Sequence, residues 1–150
     1  GTITGNLTVN GLLKVGANND VWHQGNLPIE TGTWTPTLYG STTAGTPTYQ
    51  SRDGRWERKG KLMHVWGVCV ASALNDVAGN LCIGGLPAKA AKNSPGIVGL
   101  SRGASGIPIT LHVDLGTTYI QLCKPGAYLS NTDVTSNFGL WSFALTYETQ

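Results

Sequence analysis

Apolar and polar residues alternate over short stretches along most of the chain, a pattern that predicts strands. The best example runs from Leu62 to Ala71, where both alternating sets of positions are mostly apolar. That pattern is typical of a strand covered on both faces. No long stretch places apolar residues at the i, i+3, i+4 and i+7 positions of a helix. We therefore predict an all-β chain.

The turn residues suggest how the first strands are arranged. Trp34 to Leu38 is predicted as one strand, with Pro36 at an edge or a bulge. Asp53-Gly54 is a strong hairpin signal, so a turn is predicted there, and Lys59-Gly60-Lys61 predicts a second one. Further strands are predicted at 81–86, 96–100, 107–113, 118–123 and 138–147.

The last of these strands has two unlike faces. Trp141, Phe143, Leu145 and Tyr147 are predicted to share one face, while Ser142, Ala144 and Thr146 lie on the other. The small residues would let another sheet or subunit approach closely. Strands at this spacing predict a β-sandwich of the jelly-roll kind.

The first 30 residues differ from the rest of the chain. Short apolar segments alternate with Gly and Asn, and the tripeptide Gly-Asn-Leu occurs at 5–7 and again at 25–27. Strands this short cannot bury a face alone, so they need neighbours along the chain or from other chains. We predict that 1–30 is the end of a repetitive, intertwined β stalk and that 31–150 is a terminal domain.

The low content of charged residues predicts that another chain covers part of the surface. Only 12% of the residues are charged, against about 25% in typical soluble domains. A net charge of +2 argues against nucleic acid as the main partner. No apolar run is long enough for a membrane helix. The chain has neither an initiator Met nor a signal peptide, so it is expected to be a fragment of a longer protein.

Catalytic signals are weak. The eight carboxylates show no spacing that pairs two of them, and no Gly-x-Ser-x-Gly segment occurs. His23, His64 and His112 are too far apart in sequence to suggest a metal site, although three copies of His23 could meet on the axis of a trimer. We expect no enzymatic activity and no cofactor.

The three cysteines sit in apolar, strand-like runs and have no metal-binding spacing. We predict buried free thiols, which fits assembly in a reducing cytoplasm. Their positions are Cys69, Cys82 and Cys123.

Candidate ligand-binding residues come from two regions. The basic stretch at 52–61 is either a solvated strand edge or a surface that attracts anionic groups. Trp56 lies among these charges, so it is expected to be partly exposed. The loop at 124–137 is polar and contains a tyrosine. The candidates for sugar contacts are Arg55, Trp56, Arg58, Tyr119, Tyr128, Asn131 and Asp133.

Two groups of motifs resemble the tail fibres of tailed bacteriophages and the related fibres of phage-tail-like bacteriocins. The segments GNLTVNG at 5–11 and DVWHQGN at 20–26 resemble the stalk repeats of these fibres. The segment GTWTPTL at 32–38, with Thr48-Tyr49 and the GRW segment that begins at Gly54, resembles the start of their terminal β domains.

The resemblance implies a homotrimer whose terminal β-sandwiches pack around an axis. It further implies a place at the tip of a virion tail fibre and binding to a bacterial surface receptor, most often a glycan such as lipopolysaccharide, or an outer-membrane protein. No membrane insertion is expected. Two alternatives stay open: a tailspike-like depolymerase that cuts the glycan, and a purely structural trimerisation domain.

Overall fold

The computed structural model describes residues 29–150, which form an all-β domain. Residues 1–28 of the predicted stalk, including His23, lie outside the described residues, while Ile29 and Glu30 belong to the first strand of the domain. The all-β prediction is confirmed, whereas the homotrimer stays a prediction. The strands are β1 Ile29–Trp34, β2 Thr37–Gly40, β3 Thr48–Lys59, β4 Leu62–Ala73, β5 Leu81–Gly84, β6 Ser94–Arg102, β7 Thr110–Val113, β8 Tyr119–Lys124, β9 Ala127–Tyr128 and β10 Gly139–Glu148, with a short 3₁₀ helix at Asn131–Asp133.

The strands form one antiparallel sheet in the order β1-β3-β4-β10-β6-β7-β8-β5-β2, with β9 paired to β8. β1 and β2 are consecutive in the chain but lie at opposite edges of the sheet. The prediction of one strand from Trp34 to Leu38 is therefore wrong, because the chain crosses between the edges at Thr35-Pro36. The sheet curls so that its two edges approach each other and both halves cover one core.

The hydroxyl of Tyr49 helps to hold this curled arrangement. It accepts a hydrogen bond from the Leu38 backbone N–H at 2.8 Å and donates one to the Leu38 carbonyl at 3.2 Å. Tyr49 lies on β3 and Leu38 lies on β2, which are not neighbours in the sheet. The side chain thus satisfies backbone groups of an edge strand that would otherwise need another partner.

Trp34 is buried, and Gly54 makes room for its indole ring. Gly54 and Gly67 are paired across β3 and β4, and a Cβ on Gly54 would lie 2.5 Å from the indole nitrogen. The Phe143 ring meets the indole edge-on, with centroids 6.1 Å apart. The indole N–H donates to the Arg55 carbonyl at 3.2 Å. Gly54 therefore serves a close packing contact in the middle of a strand.

This contact explains why the predicted hairpin at Asp53-Gly54 is wrong. β3 runs without a break through both residues and pairs with β4 along its length. The second predicted turn is confirmed, because Gly60 adopts the left-handed conformation with φ of 62° between β3 and β4. An Asp-Gly sequence is typical of a turn. Glycine is also required where a side chain packs closely against the backbone of a strand, and that is its role at Gly54.

Candidate functional site

One outer surface of the sheet exposes large apolar side chains, and we call it the outer apolar face. It spans β1, β3, β4, β10 and β6, and the exposed charged side chains of Arg55, Glu57 and Lys59 on β3 lie between the apolar groups of β1 and β4. The prediction that β4 is covered on both sides is therefore wrong for the single chain: Trp66 remains 37% exposed. A monomer seldom exposes so many neighbouring apolar groups without a partner. The exposed members are Ile29, Leu62, Trp66, Ile97 and Leu100.

A hollow of about 400 Å³ lies within the outer apolar face. Trp66 and Trp141 line it, and Asp53 and Arg55 stand beside them. The carboxylate of Asp53 and the guanidinium of Arg55 are 3.7 Å apart and well exposed. The hollow is thus apolar inside and carries one charge of each sign at its border.

Trp141 reaches this hollow because β10 is irregular. Its register with β4 shifts between Leu140 and Phe143, so the strict alternation of side chains is interrupted there. The prediction that Trp141 shares a face with Phe143 is wrong, because Phe143 is buried while Trp141 is half-exposed. The Arg102 guanidinium lies 5.8 Å from the indole centroid.

A second surface lies on the outside of the other half of the sheet, and we call it the tyrosine patch. It consists of half-exposed side chains on β2, β7 and β8 and just after β7. The rings of Tyr39 and Tyr119 meet edge-on, with centroids 6.2 Å apart. The inner faces of both halves cover one core, so the tyrosine patch points away from the outer apolar face. Its members are Tyr39, His112, Asp114, Tyr119 and Gln121.

Hydrogen bonds connect the polar members of the tyrosine patch. His112 Nε2 lies 2.9 Å from one carboxylate oxygen of Asp114, and Gln121 donates to the other. Burial, with smaller contributions from Cys82 and Tyr119, raises the pKa of Tyr39 to about 12. The Tyr39 hydroxyl therefore remains protonated and able to donate at neutral pH.

The structure separates the candidates on β3. Side chains alternate along a strand, so Arg55 points to the outer apolar face while Trp56 and Arg58 point to the other side. A Cβ on Gly32 would meet the Trp56 indole at 2.7 Å, so this ring packs against β1. Arg58 is 2.6 Å from Glu30 in an ion pair. Arg55 and Trp56 nevertheless both line a shallow hollow of about 360 Å³ beside β1. The role of these three residues in ligand binding stays a prediction.

Of the other candidates, Tyr119 belongs to the tyrosine patch, and three lie in or near the 3₁₀ helix. Tyr128 is 46% exposed. Asn131 accepts a hydrogen bond from the Gly79 N–H at 2.9 Å. Asp133 pairs with Lys124 at 2.5 Å and accepts from the Ser130 N–H at 2.8 Å. Asn131 and Asp133 therefore have structural contacts, and their role in ligand binding stays a prediction.

Asp133 should contribute to the acid sensitivity of the domain. Its hydrogen bond to Lys124, followed by that from the Ser130 backbone, lowers its pKa from 3.8 to about 2. A lowered pKa means that the stabilisation is present above the unfolded value and is lost as the pH falls through the folded one. We expect Asp133→Asn to weaken the loss of stability between pH 4 and pH 2, measured as the melting temperature against pH.

The exposed Asp53 offers a matched control for that experiment. Its pair with Arg55 leaves both side chains at least 60% exposed, and such pairs contribute little to stability. Asp53→Asn should leave the acid limb of the profile close to that of the parent chain. If the melting temperature of Asp133→Asn falls with pH as steeply as that of the parent chain, Asp133 does not contribute to the acid sensitivity.

The cysteine prediction is confirmed in its main point. All three thiols are free; Cys69 and Cys82 are buried, and Cys123 is partly buried. Burial raises the pKa of the Cys69 thiol to about 12, so it stays protonated and behaves as a small apolar group.

Sequence reasoning misses most of the tyrosine patch. It does not single out Tyr39, Asp114 or Gln121, and it gives His112 no role beyond that of an ordinary strand residue. The alternation of His112 with Asp114, and of Tyr119 with Gln121, places each pair on one face of its strand. What could not be predicted is that β7 and β8 pair so that His112 lies opposite Gln121.

Two general features of the described part of the chain also bear on function. Within residues 29–150, no helix is long and apolar enough to cross a membrane. In the same residues, no group of three or more His, Cys, Asp or Glu side chains is arranged to hold a metal ion.

Comparison with known proteins gives a structural similarity. No protein-family model matches the chain, and no curated protein resembles it significantly. The fold is similar to part of the crystal structure of Dettilon tailspike protein (gp208), with a TM-score of 0.65 and 18% sequence identity. The match covers 81% of this chain and 24% of that chain, so the chain spans about a quarter of the tailspike. At this identity the similarity shows a shared fold.

Proposed function

We propose that the chain is the trimeric receptor-binding end of a bacteriophage tail fibre or tailspike-like protein, and that it binds a glycan on the bacterial surface without cutting it. The observation that carries this proposal is the combination of a fold shared with part of a tailspike protein and an exposed apolar surface. The fibre-like motifs in the sequence support it independently. The place of action would be the tip of a virion tail fibre, assembled in the host cytoplasm.

Copies of the same chain are the proposed cover for the outer apolar face. Its large apolar groups surround small residues, because Gly99, Ser142 and Ala144 lie between Ile97 and the indoles that line the hollow. Small residues allow the backbones of two chains to approach closely. Asp53 and Arg55 offer one charge of each sign, which suits a contact between identical chains. The low charge of the whole chain, 12%, agrees with burial by copies.

Trimerisation would also explain how weak contacts suffice for adsorption. One sugar contact on an open surface is weak, but three sites on one tip act together. A linked arrangement can raise the avidity by about 10² to 10⁴ without any new contact. Individual contacts that break easily would let the particle search the cell surface before it attaches firmly.

The first measurement is the native mass, by light scattering after gel filtration. We expect three times the chain mass of 15.8 kDa. The second is sedimentation of the labelled protein with a panel of smooth bacterial strains and their rough derivatives, which lack the outer polysaccharide. Binding that is lost on the rough strains is the expected result. A stable monomer, or a trimer that binds no strain, would overturn the proposal.

The same material separates binding from hydrolysis. After incubation with polysaccharide purified from a strain that the protein binds, we expect no increase in reducing ends. A steady increase would instead establish the depolymerase alternative. A trimer that binds neither cells nor polysaccharide would leave the structural alternative, a trimerisation domain.

A further inference from the structure

We infer that the tyrosine patch binds a neutral hexose or deoxyhexose unit of the surface glycan. This inference rests on the proposed function and adds to it the place of binding and the class of sugar. The patch lies on the outside of the half-sheet that faces away from the outer apolar face, so it stays accessible when copies cover that face. No residue of the patch lines the hollow.

The two tyrosine rings provide an aromatic surface against which the apolar side of a sugar can pack. Tyr39 and Tyr119 meet at an angle of 80°, so their rings form a corner rather than one flat surface. Gly84 leaves room for this corner, since a Cβ there would lie 3.0 Å from the Tyr39 ring. The face of an aromatic ring carries partial negative charge, which attracts the weakly polarised C–H groups of a pyranose.

The polar members can fix the orientation of the sugar. Asp114 is held between His112 and Gln121, each through one carboxylate oxygen. Nδ1 of His112 and the carbonyl oxygen of Gln121 have no hydrogen-bond partner among the residues that the structure describes. Together with the two tyrosine hydroxyls, they offer donors and acceptors beside the aromatic corner. A few placed polar groups next to an aromatic surface are typical of small-molecule sites.

The charged groups of the tyrosine patch favour a neutral sugar over an anionic one. The patch contains one carboxylate and neither lysine nor arginine, so a phosphate or uronate would be repelled by Asp114. A purely apolar ligand would leave the imidazole, amide and hydroxyl groups without partners, which is unfavourable. A neutral ring with several hydroxyl groups satisfies both conditions. The basic residues of β3, predicted to attract anionic groups, lie on the other half of the sheet.

The test uses the full chain on an array of defined oligosaccharides. One set contains glucose, galactose, mannose and rhamnose, and the others contain uronates or phosphorylated sugars. We expect binding to members of the neutral set. Tyr119→Ala should weaken it at least about tenfold, the size of effect expected at a main contact. Gln121→Glu, which sets a second carboxylate beside Asp114, should weaken it similarly.

Two variants serve as controls. Tyr119→Phe keeps the aromatic ring and its packing and removes only the hydroxyl, so it should bind more tightly than Tyr119→Ala, which separates loss of the ring from loss of the hydroxyl. Gln50→Ala removes an exposed side chain on β3, in the other half of the sheet, and should leave binding unchanged. The native mass of each variant is first measured by light scattering and should equal that of the parent protein.

The outcomes distinguish the inference from the proposed function. If the parent chain binds cells and sugars while both Tyr119→Ala and Gln121→Glu bind equally well, the inference is wrong and the proposed function stands. A preference for uronates or phosphorylated sugars would also overturn it. If the parent chain binds neither cells nor any sugar on the array, the proposed function itself has failed.

Discussion

Replacing Gly54 with alanine is expected to lower the free energy of unfolding by about 3 kcal/mol, the upper end of the usual effect of overpacking a core. The new methyl group would lie 2.5 Å from the indole nitrogen of Trp34. The ring has little room to move, because the Phe143 ring lies against it. Displacing it would also break its hydrogen bond to the Arg55 carbonyl.

The measurement is urea unfolding followed by tryptophan fluorescence, with Gly60→Ala as the control. Gly60 has a positive φ of 62°, and a Cβ added there would meet no atom within 4 Å. Its substitution should cost only about 1 kcal/mol, the usual cost of placing a side chain on a left-handed glycine. If the Gly54 variant is no less stable than the Gly60 variant, the close packing of Trp34 on β3 is wrong.

Replacing Leu100 with lysine is expected to convert the proposed trimer into monomers. Leu100 is 60% exposed in the single chain and belongs to the outer apolar face. In the proposed trimer this substitution would bury an ammonium group in each copy among the apolar side chains of the outer apolar face. An uncompensated buried charge costs several kcal/mol, and the effect would occur three times in one assembly. Light scattering should then give 15.8 kDa, the mass of a single chain.

Leu115→Lys is a closely matched control for that experiment. Leu115 is also a leucine that is 60% exposed, but it follows Asp114 on the other side of the domain. The Leu115 variant should keep three times the chain mass. If both variants remain trimeric, the copies meet through another surface. If both dissociate, the effect is not specific to the outer apolar face.

The strand content could be predicted from the sequence because it depends on local patterns. The alternation along Leu62 to Ala71 and the left-handed glycine at Gly60 are both visible within a few residues. The predicted hairpin at Asp53-Gly54 is wrong because the reason for Gly54 is Trp34, which is 20 residues earlier in the chain. The predicted position of Trp141 is wrong because an irregularity in β10 shifts the alternation.

The candidate site was less accessible to sequence reasoning than the fold. Alternation along β3 directs Arg55 to one side of the sheet and Trp56 and Arg58 to the other, although Arg55 and Trp56 both line a hollow beside β1. Tyr39 and Tyr119 are far apart in sequence and meet only because β5 lies between their strands in the sheet. Residues that are neighbours in the sequence can thus face opposite sides of the sheet, and residues that are distant in the sequence can meet on its surface. This is usual in a fold built from distant strand pairings.

The position of β10 in the sheet determines when this domain can fold. β10, at 139–148, is the last strand in sequence, yet it lies between β4 and β6 near the middle of the sheet order. Until the ribosome has released it, β4 and β6 each lack one of their two partner strands, and the core lacks Phe143, Leu145 and Tyr147. Folding must then follow synthesis of nearly the whole domain, and long-range pairings of this kind form slowly. A nascent chain that stalls before residue 139 therefore exposes two unpaired strand edges, which favour aggregation.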